Sequence, residues 1–226
     1  MKEYLDFRQR NEYEKLKAPA EIIKNGGVVI FPTETVYGIG VNGLDEKAIK
    51  KLYDIKQRPL DKPISLLVAN MEMIKKITKN ITELEYKLME AFFPGPFTIV
   101  LKKKNIVPDI LTANQDTVGI RMPEEEIARK LIEYANVPIA TPSANISGKK
   151  SGTNLNDIMK DFEQKVDFFI DGGESKLGLG STIVKVIDGN VHILRQGTIT
   201  KEQIEEVIHK NIYSNSLVFY DIVWYI

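Results

Sequence analysis

The chain has 226 residues, enough to bury a full core, and one domain with a short tail is the simplest organisation. Its 31 basic side chains balance 31 acidic ones, which argues against a protein that holds nucleic acid mainly through bulk charge. The absence of cysteine excludes disulfides and thiol chemistry, and fits a reducing, cytoplasmic setting. Residues 1–17 are charged and lack the apolar stretch of a secretory signal. No apolar run approaches the roughly 20 residues that cross a bilayer, so no membrane role is expected.

In chain order, Pro19 opens a short helical pattern with Ala20, Ile22 and Ile23, and Asn25-Gly26-Gly27 stops it. Residues 27–31 read as a buried strand. Asp45 can cap a helix whose apolar face is Ala48, Ile49, Leu52 and Ile55, with Pro59 expected to end it. Further strands are expected at 64–69, 97–102, 118–122, 137–140, 168–170, 182–187 and 191–195. Asp188-Gly189-Asn190 joins the last two as a tight antiparallel hairpin. Pro123 with Glu124, Glu125 and Glu126 opens a helix with acid in its first turn, where the dipole favours it. Thr200 and Gln203 resemble a capping box for a helix carrying Ile204, Val207 and Ile208. These elements predict one α/β domain with a mixed parallel and antiparallel sheet over residues 1–210. A short tail, 211–226, follows, and its apolar part, 217–226, suits an edge strand or a docking segment equally.

Several motif matches fail on context. Gly38-Ile39-Gly40-Val41-Asn42-Gly43 has the spacing of a dinucleotide fingerprint, but the strand ends at Phe31 and the next helix has its own cap at Asp45. Its glycines are expected to serve a turn or close backbone packing. Gly148-Lys149 lacks both the upstream glycine and the following Ser/Thr of a phosphate-binding loop. His192 and His209 are too few and too separated for a zinc site.

Two clusters carry more. Lys56-Gln57-Arg58-Pro59 with Lys62-Pro63 forms a stiffened cationic corner where a helical pattern stops, suited to phosphate oxygens. Thr141-Pro142-Ser143-Ala144-Asn145 packs hydroxyls and an amide into a proline-stiffened turn. Pro32-Thr33-Glu34-Thr35-Val36-Tyr37-Gly38 follows the first strand, at the end where open α/β sheets bind ligands. Arg121 lies in an otherwise apolar strand and needs either a buried ion pair or a ligand carboxylate. Gly178-Leu179-Gly180-Ser181-Thr182 can bring amides and a hydroxyl to a ligand, or simply turn the chain. Lys102-Lys103-Lys104 is expected to be a solvated strand end. Together these residues suit a ligand bearing both phosphate and carboxylate.

The same residues carry a family resemblance. Gly26-Gly27, the 32–38 motif, Lys56-x-Arg58, Pro94-Gly95-Pro96-Phe97-Thr98, Gly119-Ile120-Arg121-Met122-Pro123, Thr141-Pro142-Ser143-Ala144-Asn145 and Gly180-Ser181-Thr182 occur in this order in the YrdC-like family. The resemblance spans roughly residues 15–210. It implies a twisted sheet with a concave basic groove. It also implies synthesis of threonylcarbamoyl-adenylate from L-threonine, bicarbonate and ATP, with pyrophosphate released and Mg2+ entering with ATP. The product would serve N6-threonylcarbamoylation of adenosine 37 in ANN-decoding tRNAs, through a separate tRNA threonylcarbamoyl transferase complex. Position by position, the resemblance assigns L-threonine to Thr35, Arg121, Thr141 and Ser181. It assigns ATP to Lys56, Arg58, Lys62, Thr117, Ser143, Ser151 and Arg195. Lys56, Arg58, Ser143 and Asn145 form the family's basic-and-polar tetrad and take the catalytic role. Longer members often have a histidine near threonine where this chain has Leu67. No side chain stands out as a general base. The competing reading is a non-catalytic module binding RNA weakly through Lys56, Arg58, Lys62, Arg121, Lys149 and Lys150. Zero net charge and the lack of interleaved aromatics weigh against it.

Overall fold

The computed structural model describes residues 3–209. Its elements are β1 (Glu3–Asp6), α1 (Lys17–Lys24), β2 (Val29–Phe31), β3 (Gly38–Asn42), α2 (Glu46–Lys56), β4 (Leu66–Leu67), α3 (Met71–Ile77), α4 (Glu83–Phe92) and β5 (Phe97–Lys102). They continue with β6 (Thr117–Arg121), α5 (Glu126–Ala135), β7 (Ile139–Ala140), α6 (Leu155–Phe162), β8 (Phe168–Asp171), β9 (Thr182–Ile187), β10 (Asn190–Arg195) and α7 (Lys201–His209). The strands form one sheet in the order β1-β8-β2-β3-β7-β4-β6-β5-β9-β10. It is mixed, as expected: β1–β8, β2–β8, β4–β6 and β5–β9 are parallel and the other neighbours antiparallel. Every residue of β2 is buried, as are the first four of β3, so the sheet centre is covered on both faces, with α1 packed against β2 and β3 and α2 against β3.

Local chemistry accounts for the helix ends. Asp45 caps α2 by accepting the amides of Lys47 and Ala48. Thr200 and Gln203 bond each other's backbone amides at the start of α7. Asp188 and Gly189 both take positive φ, 50° and 80°, the primed turn that suits a two-residue hairpin.

The structure corrects several expectations. Helix α2 stops at Lys56, before Pro59, because Gln57 adopts a left-handed cap at φ 51° and a residue preceding proline avoids helical backbone. The strand expected at 64–69 narrows to β4: the Ile64 amide turns away to the Leu111 carbonyl at 2.9 Å. The stretch 137–140 likewise narrows to β7. The 38–43 glycine motif serves both expected ends: Gly38 and Gly40 lie in β3, and Gly43 lies in the turn after it. A Cβ on Gly40 would come within 2.6 Å of Phe31 and 2.7 Å of Ile139, so the glycine permits close packing of neighbouring strands. Lys103 is buried rather than solvated, with Nζ 2.5 Å from Asp109 and 2.8 Å from the Val107 carbonyl. β1, β3, α3, α4 and α6 were not anticipated. No helix among the described residues is long and apolar enough to cross a membrane. The tail 211–226 and its apolar part lie outside the described residues.

Candidate active site

Five loops and strand ends converge on a cavity of about 560 Å³, within the range of small-molecule sites. The loop after β2 supplies Thr35 and Val36, and the segment after α2 supplies Arg58. The end of β6 contributes Arg121, the turn after β7 contributes Thr141 and Ser143, and the chain entering and leaving the β9–β10 hairpin contributes Ser181 and Arg195. The sheet's mixed topology lets residues 20 to 160 positions apart meet here.

The floor is built on Arg121. Its Nη2 donates to Glu34 Oε1 at 2.7 Å and to Thr35 Oγ1 at 2.9 Å. The Glu34 and Arg121 side chains are 4% and 10% exposed, so the pair is shielded from water. Arg121 therefore satisfies both readings open in the sequence: it is a buried ion pair and it faces the cavity. Its Nε is buried with no hydrogen-bond partner among the described residues. Thr33 Oγ1 lies 2.8 Å from Thr35 Oγ1 and donates to the Val36 carbonyl at 2.6 Å, which stiffens the loop. The loop is roofed by backbone bonds from Leu177 to the Glu34 carbonyl and from Gly178 to the Thr35 carbonyl.

The rim carries two further guanidiniums. Arg58 Nε and Nη2 donate to the carbonyls of Lys62 and Pro63 at 3.0 and 2.9 Å. It is half-buried, not the exposed helix end its position suggests. Arg195 Nη2 donates to the Ser181 carbonyl at 2.8 Å and to Ser181 Oγ at 3.2 Å. Burial holds both guanidiniums below their ordinary pKa, and for Arg195 the charges of Arg121 and Arg58 add to this. Three guanidiniums thus line one cavity, an arrangement that favours polyanionic ligands. Apolar side chains, Val36, Leu67 and Ile183 among them, complete the lining, with Leu67 paired to Arg121 across β4 and β6.

Lys56 does not stand at the surface. It is 1% exposed, and Nζ donates to the carbonyls of Ser143 and Asn145, each at 2.5 Å. Burial, with Arg58 nearby, pushes its pKa down to about 7. Asn145 accepts the Ser143 hydroxyl at 2.5 Å and donates to the Lys149 carbonyl at 2.7 Å. The pair Lys56 and Asn145 therefore braces the turn that presents Ser143 to the cavity.

Of the residues singled out in the sequence, Thr35, Arg58, Arg121, Thr141, Ser143, Ser151, Ser181 and Arg195 line this cavity. Lys56, Lys62, Thr117 and Asn145 do not. The Lys62 carbonyl braces Arg58 and also accepts the Tyr53 hydroxyl at 2.9 Å. Thr117 opens β6 opposite Lys102, four residues from Arg121, and its hydroxyl is buried without a partner among the described residues. Ser151 also borders a smaller cavity of about 210 Å³ beside Asn145, Asp157 and Asp161. Sequence reasoning missed three participants. Glu34 was visible as the carboxylate of its loop, but its partner was not. Thr98, 2.7 Å from Ser181 Oγ, follows the Pro94-Gly95-Pro96-Phe97 turn. Gln196 had no signal beyond following the last strand.

The fold and the site define an α/β protein that gathers arginines and hydroxyls around a small-molecule cavity. The chain belongs to the Sua5/YciO/YrdC family, whose model, described as "Telomere recombination", matches residues 21–197. It is 43% identical over 218 residues to a threonylcarbamoyl-AMP synthase of Pyrococcus abyssi, covering 94% of this chain and 64% of that protein. It is 42% identical over 198 residues to a putative threonylcarbamoyl-AMP synthase of Methanocaldococcus jannaschii, covering 86% and 92%. Its structure is similar to that of P. abyssi Sua5 complexed with L-threonine, with TM-score 0.88 and 42% identity over 95% of this chain and 64% of that one. It also resembles E. coli YciO, with TM-score 0.77 and 25% identity over 87% and 95%. The chain spans less than two thirds of the length of the P. abyssi relative.

Proposed function

We propose that this protein makes L-threonylcarbamoyl-adenylate from L-threonine, bicarbonate and ATP, releasing pyrophosphate. The observation that carries this reading is the division of the cavity. A buried Arg121–Glu34 pair with small hydroxyls and apolar lining residues suits a small amino acid, while the more exposed Arg58 and Arg195 suit phosphates. The relatives named threonylcarbamoyl-AMP synthase and the threonine complex of P. abyssi Sua5 support it.

In this reading Arg121 receives the threonine carboxylate, with Thr35, Thr141 and Ser181 around the polar groups. Bicarbonate and the threonine amine condense to a carbamate with loss of water. A carbamate oxygen attacks the α-phosphorus of ATP, and the bond to the β-phosphate oxygen breaks as pyrophosphate leaves. Nothing in this sequence needs a covalent enzyme intermediate, so positioning and cationic stabilisation suffice. Arg58, Arg195, Ser143 and Ser151 are the residues that would hold the nucleotide. The cavity donors are guanidiniums and hydroxyls; no carboxylate is in the lining among the described residues, and Glu34 beside it is engaged by Arg121. That donor set fits Mg2+ carried in by the triphosphate, held mainly by phosphate and water, rather than by a protein cage. Lys56 and Asn145 would act by holding Ser143. The adenylate would pass to a separate transferase that modifies adenosine 37 of ANN-decoding tRNAs. The cavity lining has no aromatic side chain among the described residues, so a stacking RNA platform is not favoured.

The test is mass spectrometry of a reaction with ATP, magnesium, L-threonine and labelled bicarbonate. The label is expected in an adenylate, with pyrophosphate release that needs both co-substrates. Release of ADP and orthophosphate would place cleavage at the wrong phosphorus and overturn the reading.

A further inference from the structure

Arg121 is set by a series of contacts that begins outside the family-matched stretch. Arg10 lies in the arm that precedes it, and the arm is anchored: β1 pairs with β8, and the Phe7 amide donates to the Asp171 carbonyl at 2.7 Å. Arg10 takes positive φ, 51°, and its amide donates to the Phe7 carbonyl at 3.0 Å, so a tight turn aims its side chain inward. There its guanidinium grips Glu125 with Nη1 2.6 Å from Oε1 and Nη2 3.2 Å from Oε2, while Nη2 also reaches the Gly172 carbonyl at 3.2 Å. Such two-point contact fixes angle as well as distance.

Glu125 passes the constraint on. Its side chain is 5% exposed, and it caps α5 by accepting the Ile127 amide at 3.3 Å. Its own backbone amide donates to Glu34 Oε2 at 3.4 Å. The other Glu34 oxygen receives Arg121 at 2.7 Å. The two oxygens of Glu34 are therefore held from opposite sides, one by the cavity arginine and one by the residue that Arg10 clamps. Charge follows the same path. Arg10, Glu125, Glu34 and Arg121 sum to zero, two positive and two negative. Removing Arg10 leaves one net negative charge, largely buried, behind the arginine that faces the cavity.

We propose that Arg10 is a positioning residue for the amino-acid carboxylate: through Glu125 and Glu34 it fixes the aim and the effective charge of Arg121 without touching substrate. This rests on the assignment of L-threonine to Arg121 above. Loss of Arg10 weakens L-threonine binding in two ways that share a sign. The 3.4 Å link from Glu125 to Glu34 is the longest of the series and slackens first, and the orphaned Glu125 carboxylate repels an incoming carboxylate. The nucleotide side, built on Arg58 and Arg195, shares none of these contacts.

The experiment uses the full chain and three variants, Arg10→Ala, Arg10→Lys and the double variant Arg10→Ala/Glu125→Gln. Pyrophosphate release gives KM for L-threonine and for ATP, and calorimetric titration of L-threonine gives Kd without turnover. Arg10→Ala is expected to raise KM and Kd for L-threonine roughly tenfold, the scale of one hydrogen bond to a charged group. KM for ATP is expected to stay within about twofold by the same scale. Glu125→Gln in the double variant removes the orphaned charge and is expected to recover part of the loss, and Arg10→Lys to fall between. A purely structural arm would lower Tm and the active fraction, cutting kcat while leaving KM for L-threonine alone, and that result overturns the proposal. So does an equal rise in both KM values. Should Arg10→Ala not fold, Arg10→Lys carries the same comparison. If the unaltered protein binds L-threonine but makes no adenylate, the proposed reaction falls while the Arg10 proposal is still decided by Kd. If it binds no L-threonine, both fall.

Discussion

Arg121 meets the cavity with its charge already matched by a bonded Glu34, whereas Arg58 and Arg195 meet it bonded to carbonyls and, among the described residues, in no close ion pair. The first arrangement is buried, bonded on both sides of the carboxylate, and held by strand ends. The second is more open to solvent, with Arg58 on the segment after α2 and Arg195 at the end of β10, and is braced by carbonyls. The contrast follows what each side is proposed to bind. A small zwitterion brings little charge and needs orientation, which a pre-set ion pair supplies. A triphosphate brings much charge, and unneutralised guanidiniums supply the opposing field.

The comparison breaks most visibly at the ion pair. Arg121→Met leaves the Glu34 carboxylate buried and unpaired, which is expected to cost about 3–5 kcal/mol of stability. Adding Glu34→Gln removes that charge and is expected to restore most of the Tm while adenylate synthesis stays lost. Denaturant melts beside pyrophosphate assays separate the two effects. If the double variant remains as unstable as the single one, the pair is not a coupled unit.

On the rim the expectation reverses, with function affected more than folding. Arg58→Ala removes a charged contact worth roughly 1.5–3 kcal/mol, so ATP affinity or turnover is expected to fall tenfold to a hundredfold. Because Arg58 also braces the carbonyls of Lys62 and Pro63, a stability loss of about 1 kcal/mol accompanies it. Equal KM for ATP in the two proteins would remove Arg58 from the nucleotide side.

Side-chain selection sharpens the amino-acid side. Apolar lining residues such as Val36, Leu67 and Ile183 can sense one methyl, worth about 1–3 kcal/mol. Serine is expected to be a poor but measurable substrate in the pyrophosphate assay. Valine keeps the shape but strands the partners of the hydroxyl, and is expected to be worse. Equal turnover of threonine and valine would exclude a hydrogen-bonded hydroxyl.

The smallest effect concerns pH. Lys56 is pushed down to about 7 in the fold, so from there up to the ordinary lysine range the unfolded chain holds a proton that the native state lacks. Stability due to Lys56 therefore rises with pH across that window and is flat below it, with a slope of at most about 1.4 kcal/mol per pH unit. Lys56→Met is expected to flatten this rise, checked by denaturant midpoints at pH 7, 8 and 9. An unchanged slope would mean that the two carbonyls keep the ammonium charged.

Local signals read well where the chemistry is local. Asp45, the Thr200–Gln203 box and the Asp188-Gly189 turn each act through bonds to neighbours a few residues away, and each is found as the sequence implies. Helix α4 carries an equally plain signal of the same kind, a Thr82–Glu85 capping box. Eight of the singled-out residues do line one cavity, because their motifs sit at strand ends and turns, where side chains face ligands rather than the core.

What the amino-acid order determined by itself was the mixed α/β character, the capped helices and the residue types gathered for an anionic ligand. These follow from hydrophobic period, caps and turn chemistry, all short-range. Only the tertiary structure decided which charges are free. Lys56 and Arg58, two positions apart, look alike in the sequence, yet one lies buried under the Ser143 turn and the other at the cavity rim. Arg121 and Glu34 are 87 residues apart, and Arg10 and Glu125 are 115 apart. A charge's partner is chosen by strand order and packing, and short-range pattern carries no record of either.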